Sequence, residues 1–403
     1  MPNGFLQRTV STLAAGIDRA FAETAINPPR ALRARSRAEG LGHAERVLGL
    51  RIIASFYNRP EFLSRENELL PRPGPITPEL TPVRGYGSSG QVLDLRWPSA
   101  FEPLWSAAAL SAHVEGLPVE QRDALGLPAG QDVIGAMRSI GIDRSGELQA
   151  KYLRARANQT AHARWFRHRA GPRPCIVMIH GYMGGHYAVE ERILPVRRLF
   201  ESGLDVVLTV LPFHGPRRAE SRGILPPSFP SSDPRFTIEG FRQTVLDHRA
   251  LFDFLLTSGR VASLGVMGMS LGGYSAALLA TLEDTLKFAV MFVPLAAIED
   301  IAHRQGRMVG TPEQQLEQRD ALGRAHWPIS PLTRPSLVPS DRAVVLAGEA
   351  DRVTGLTQGR RLAQHFGAPI SMFHGGHLLH AGLDLAFVPA WHAIERAVGV
   401  TVK

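Results

Sequence analysis

Apolar positions recur along the chain at two different spacings, and the change between them falls near residue 150. Over residues 4–25, Leu6, Val10, Leu13, Ile17 and Phe21 share one side of a helical wheel. Arg8, Ser11 and Asp18 lie elsewhere on it. This spacing predicts an amphipathic helix that packs its apolar face on the body of the protein or on a second subunit. A second helix is expected over 42–56. Residues 59–90 carry Pro60, Pro71, Pro73, Pro75, Pro78, Pro82, Gly85, Gly87 and Gly90, which read as an irregular crossing segment. Leu93, Leu95 and Trp97 alternate with Asp94 and Arg96, the period of a single strand. Residues 103–140 read as mainly helical, interrupted at Pro118 and Pro128.

From Lys151 the pattern becomes a regular alternation of strand and helix. Residues 152–157 and 160–167 read as two strands joined at Asn158-Gln159. Strands follow over 175–179, 205–211, around Leu264 and Val266, and over 288–293, 343–347 and 370–373. Between and after them, helices are marked by Ile193, Val196, Leu199 and Phe200, by Ile238, Phe241, Val245, Phe252 and Leu255 over 237–259, by 274–282, by a helix ending at Phe366, and by Phe387, Trp391, Ile394 and Val398. Strands alternating with helices predict an α/β fold, a mostly parallel central sheet with helices on both faces. Catalytic groups are then expected on loops at the carboxyl ends of the strands. Two stretches break the alternation: a Pro- and Ser-rich loop over 215–235, and a longer insertion over 296–340. Within the insertion, Thr311-Pro312-Glu313-Gln314 predicts a capped helix start. The expected division is a mainly helical N-terminal extension over 1–150, a candidate cap, and a catalytic domain over 151–403 whose insertion is a candidate lid.

Composition narrows the class. The 403 residues include 45 Lys and Arg against 37 Asp and Glu, a formal net charge of +8. Only Lys151, Lys287 and Lys403 are lysines, and the arginines are scattered; the one dense run is Arg30–Arg37. Nucleic-acid binding would call for a basic stripe with interleaved aromatics, so no nucleic-acid partner is expected. A membrane-surface contact through residues 4–37 is the alternative use of that run. No apolar stretch is long enough to span a bilayer and no secretory signal is legible, which places the expected location in the cytoplasm. The single cysteine, Cys175, opens an apolar run and reads as a buried structural thiol. No histidine–carboxylate spacing suggests a metal site, and no cofactor is expected.

The chemistry centres on Gly268-Met269-Ser270-Leu271-Gly272, a G-x-S-x-G between an apolar strand and a small-residue helix. That context predicts a nucleophile elbow, with Ser270 on a strained turn at the strand end. A serine hydroxyl needs a base and an orienting carboxylate. Asp351 follows the strand 343–347, with Glu349, Glu299 and Asp300 as rivals. His377 follows the last strand in His374-Gly375-Gly376-His377, with His374 and His380 as rivals.

In motifs and in element order, residues 151–403 resemble the α/β-hydrolase superfamily, in its serine esterase, lipase and dienelactone-hydrolase-like branch. The resemblance implies a triad in the chain order Ser270, Asp351, His377. It also implies an oxyanion hole from the N–H groups of Leu271 and Tyr182, with Met183 as the alternate to Tyr182, the latter in the H-G motif His180-Gly181-Tyr182. His180 would brace that loop. His214, in Pro212-Phe213-His214-Gly215, would lie at the site rim or brace its own loop. Met183, Phe213, His214 and Leu378 are the expected substrate contacts. The implied activity is hydrolysis of a small-molecule carboxylic ester, thioester or amide through an acyl-enzyme. Cleavage of an activated C–C bond or acyl transfer by the same triad, and a non-catalytic scaffold, are the alternatives. A homodimer through the N-terminal helix is compatible with the pattern.

Overall fold

A computed structural model describes residues 3–23, 41–63, 68–125, 145–218 and 227–402. The run Arg30–Arg37 and Pro128 lie outside the described residues. The elements are, in chain order, α1 (Asn3–Phe21), α2 (His43–Tyr57), β1 (Glu79–Tyr86), β2 (Gly90–Pro98), α3 (Ala107–Glu115), α4 (Val119–Ala124) and α5 (Ser145–Arg154). Next come β3 (Thr160–His168), β4 (Arg173–Ile179), α6 (Tyr187–Ile193), α7 (Val196–Glu201), β5 (Asp205–Thr209), α8 (Pro234–Thr257), β6 (Val261–Met269) and α9 (Leu271–Ala280). The chain closes with β7 (Leu286–Phe292), α10 (Ile298–Arg304), α11 (Pro312–His326), β8 (Ala343–Gly348), α12 (Leu356–Phe366), β9 (Ile370–Gly375), the two-residue β10 (His380–Ala381) and α13 (Leu383–Val398).

The strands form one ten-stranded sheet in the order β1-β2-β3-β5-β4-β6-β7-β8-β9-β10. The five pairings from β5 through β9 are parallel, and those at either end are antiparallel. Side chains alternate between the two faces along each strand. Val177, Ile179, Val207, Val266, Met291 and Val345 face the side covered by α8, α9 and α12. Ile176, Met178, Val206, Leu208, Val344 and Leu346 face the side covered by α7 and α13. This is the α/β architecture expected from the sequence, a mostly parallel central sheet with helices on both faces.

Three local readings need correction. Residues 79–86 form a strand despite Pro82, because β1 is the sheet edge and Pro there breaks no central ladder; the register shifts at Pro82/Arg84. With β2, the strand expected from the alternation at Leu93–Trp97, it extends the sheet outward. Residues 152–157 are not a strand: α5 and a short 3-10 turn, Arg156–Gln159, replace it. The buried pair Leu148 and Tyr152 carries helical spacing there. Finally, α8 begins at Pro234 with Asp233 as its N-cap, whose side chain accepts from the Arg235 N–H.

The segment before β3 is fastened to α8 by buried polar groups. Glu239 accepts from the Tyr57 hydroxyl at 2.6 Å and pairs with Arg242, whose Nε donates to the Leu69 carbonyl at 2.7 Å. Glu283 takes Arg249 at 2.5 Å and Arg72 at 2.9 Å, and Arg249 also donates to the Leu70 carbonyl. Helix α2 packs on α11 of the insertion, where Glu317 pairs with His43 at 3.0 Å and Arg51 at 3.1 Å. The insertion helix α11 starts at the Thr311 capping box, as its spacing predicts.

Candidate active site

Ser270 sits between the last residue of β6 and the first of α9, at φ 58° and ψ −114°. A positive φ is costly for any residue with a Cβ, and here the surrounding contacts impose it. The Ser270 N–H donates to the Phe292 carbonyl at 2.9 Å, and its carbonyl accepts from Tyr274 at 3.1 Å. The crossing is tight enough that a Cβ on Gly268 would overlap the Gly272 carbonyl, and one on Gly272 would overlap the Ile179 carbonyl. Glycine at both positions is therefore a steric requirement of the elbow.

His377 lies on the loop between β9 and β10. Its Nε2 is 2.8 Å from Ser270 Oγ, and its Nδ1 is 3.0 Å from Asp351 Oδ2. With Nδ1 donating to the carboxylate, Nε2 is left as acceptor for the serine proton. All three side chains are almost wholly buried. Burial pushes the Asp351 carboxyl up, but the His377 charge and hydrogen bonds from His377, Thr354 and Gly355 outweigh it and bring it down to about 2. The carboxylate thus stays ionised where an imidazole would take up a proton.

Thr354 is a site residue that sequence reasoning missed. Its hydroxyl donates to Asp351 Oδ2 at 2.6 Å and its N–H to Oδ1 at 2.9 Å, beside a third bond from Val353 N–H at 2.8 Å. The Asp-x-x-Thr spacing was the available signal, since a carboxylate commonly caps the N–H groups two and three residues ahead. Arg304 of the insertion donates to the Thr354 carbonyl at 2.5 Å, so the insertion abuts the Asp351 loop. The rival residues are engaged elsewhere. Glu349 pairs with His374 at 2.7 Å, on a half-exposed surface. His380 donates to the His377 carbonyl at 2.9 Å, and Asp300 pairs with Arg361 at 3.0 Å.

The loop after β4 crosses directly over the nucleophile: a Cβ on Gly181 would lie 3.3 Å from Ser270 Cβ. His180 holds this loop, donating from Nδ1 to the Gly181 carbonyl at 2.7 Å and accepting at Nε2 from Leu211 N–H at 3.1 Å. Burial lowers its pKa to about 4, so it is neutral. Glu190, also unanticipated, braces the same loop by accepting from Gly185 N–H at 2.8 Å. Tyr182 lies on this loop, and Leu271 opens α9, where the first N–H groups have no intrahelical acceptor. Met183 and Leu378, at 36% and 40% exposure, are exposed side chains on the loops that carry Tyr182 and His377.

Phe213 and His214 do not join them. Phe213 is buried against Tyr152 and Phe236, and His214 is fully buried with Nδ1 donating to the Pro212 carbonyl at 2.8 Å. Phe213 serves the core, and His214 braces its own loop, one of the two roles expected of it from its motif. Cys175 is buried, and burial raises its pKa. A cleft of about 420 Å³ beside Glu191 and Arg197 and one of about 180 Å³ between Leu194 and Trp391 are not lined by the three site residues. Among the described residues no cluster of three or more His, Cys, Asp or Glu side chains is arranged around a metal position, and no helix is long and apolar enough to cross a membrane.

No family model matches the chain. It is 34% identical over 236 residues to the uncharacterized protein Rv2627c of Mycobacterium tuberculosis strain H37Rv, covering 56% of this chain and 55% of that one. The uncharacterized protein MT2702 of strain CDC 1551 matches to the same extent. The chain thus spans about half the length of the curated relatives it matches. Among solved structures it is similar to an acetyl xylan esterase from Paenibacillus sp. R4, with TM-score 0.48 and 16% identity over 81% of this chain and 89% of that one. A second acetyl xylan esterase, from Thermoanaerobacterium sp. JW/SL YS485, gives TM-score 0.47 and 14% identity over 83% and 91%. A putative dienelactone hydrolase from Klebsiella pneumoniae gives TM-score 0.40 and 17% identity over 60% and 93%.

Proposed function

We propose that this chain is a serine hydrolase of the α/β-hydrolase superfamily that cleaves a carboxylic ester. The observation that carries the reading is the hydrogen-bonded relay from Ser270 Oγ through His377 to Asp351, built on a serine held at positive φ. Nε2 of His377 takes the serine proton as Oγ attacks the carbonyl carbon. Asp351 fixes the tautomer with Nδ1 protonated and stabilises the imidazolium that forms. The tetrahedral oxyanion is held by the N–H groups of Leu271 and Tyr182, donors fixed by the helix start and the braced loop. Collapse expels the alcohol, which takes its proton from His377. Water then repeats the cycle on the acyl-enzyme.

Met183 and Leu378, exposed apolar side chains on the loops that carry Tyr182 and His377, support a reading in which the ester has an apolar acyl or alcohol group. The test is intact mass after fluorophosphonate treatment, with hydrolysis of p-nitrophenyl esters of increasing acyl length. One adduct, lost in Ser270→Ala together with turnover, is expected. An adduct that persists in Ser270→Ala would sink the assignment of the nucleophile.

A further inference from the structure

Helix α1 turns a different face to the body than its apolar spacing predicts. Ala14 and Asp18, one turn apart, are fully buried, while Leu13 is 58% and Ile17 39% exposed. The Asp18 carboxylate lies against the two loops that carry the base and its orienting partner. Its Oδ2 accepts from the N–H groups of His377 at 2.5 Å and Arg352 at 3.1 Å, and its Oδ1 from Leu378 at 3.0 Å. Gly376 is open for it: a Cβ there would overlap the carboxylate.

These bonds begin where the sheet stops linking the two loops. Beyond the end of the β8–β9 ladder, Ala350 N–H still donates to the Gly375 carbonyl at 2.9 Å. Just beyond stand Asp351, one residue on, and His377, two residues on, joined by their own side chains and by Asp18. A carboxylate removed from water is tolerated only when hydrogen-bonded, and three N–H donors supply that here. The contact spans more than 300 residues of sequence.

We propose that Asp18 is a positioning residue: by bridging the Asp351 and His377 loops it fixes their separation, and the docking of α1 completes the triad. This rests on the serine-hydrolase reading above. A shift of about 1 Å in a catalytic group costs on the order of 100-fold in rate.

The test uses the full chain as wild type, Asp18→Ala, Asp18→Asn and Leu13→Ala. It measures fluorophosphonate labelling rate, kcat and KM on p-nitrophenyl acetate, melting temperature, and amide exchange of a peptide spanning 376–379. Asp18→Ala is expected to slow labelling and kcat about 100-fold at unchanged KM, with faster exchange in that peptide. Asp18→Asn, which keeps one acceptor oxygen, should lose about tenfold. Leu13→Ala should match wild type. Wild-type labelling and exchange in Asp18→Ala would overturn the proposal. If Asp18→Ala fails to fold, Asp18→Asn decides: slower labelling with faster exchange supports the bridge, and wild-type values in both refute it. If wild type itself takes no label, the hydrolase reading has failed, and the exchange of the His377 and Leu378 amides still judges the bridge.

Discussion

Residues 41–125 and helix α1 both precede the parallel strands, yet they are held to the body by opposite means. The first segment adds β1 and β2 to the sheet, packs α2 on α11, and shares the buried groups Glu239, Arg242, Arg249 and Glu283. Removing it would strand charges that α8 carries in the interior. Helix α1 buries one small side chain and one carboxylate among its described positions, and that carboxylate grips loops that perform the proposed chemistry. The contrast separates an attachment that sustains the fold from one that tunes the site.

The largest effect expected is on catalysis. Ser270→Ala should lower ester turnover by about 10⁴-fold or more, with a nearly unchanged melting temperature, since alanine keeps the Cβ and the positive φ. Comparable turnover in that variant would collapse the contrast, leaving no chemistry for α1 to tune. Next is stability. Glu283→Ala leaves Arg249 buried without its carboxylate and should cost about 3–5 kcal/mol by denaturant titration. A loss below about 1 kcal/mol would show that the buried cluster of Glu283, Arg249 and Arg72 contributes little to holding residues 41–125.

Acid sharpens the same contrast. Burial lowers His180, His248 and His326 each to about 4, below the ordinary value near 6.5. The unfolded chain therefore binds more protons than the folded one between those values. Stability should fall as pH drops from about 6.5 to about 4, by up to about 1.4 kcal/mol per pH unit for each histidine. A stability curve flat across that window would contradict it. Asp351 shifts in the same direction at lower pH: its contribution is present above the ordinary carboxylate value and is lost as pH falls towards about 2. The smallest effect is at Thr354→Val, which removes one hydroxyl from Asp351. About tenfold in kcat and about 1 kcal/mol in stability are expected, measured by steady-state kinetics and thermal melts. Unchanged kcat would mean that the remaining N–H donors to Asp351 suffice.

Much of the candidate site was legible because its parts are local. The elbow needs glycine at two fixed offsets from Ser270, and steric exclusion writes that requirement into five consecutive residues. Asp351 and His377 were found because a parallel sheet delivers the loops after β8 and β9 to the same edge as the loop after β6. Thr354 and Glu190 were passed over, although each acts within five residues of its partner, because polar side chains at such offsets are common in any loop. The core packing of Phe213 was not legible, because adjacency to a motif does not say which way a side chain points.

The sequence by itself determined the elements, the layered α/β arrangement and the elbow, since periodicity and glycine placement act over a few residues and hold in any surroundings. Tertiary structure decided the rest. It made Pro82 tolerable by placing β1 at the sheet edge, and it drew residues 152–154 into a helix through the buried pair Leu148 and Tyr152. It also set the face of α1. A lone aspartate on an amphipathic helix reads as solvated, and only the three N–H groups that converge on it from distant loops make its burial the lower-energy choice.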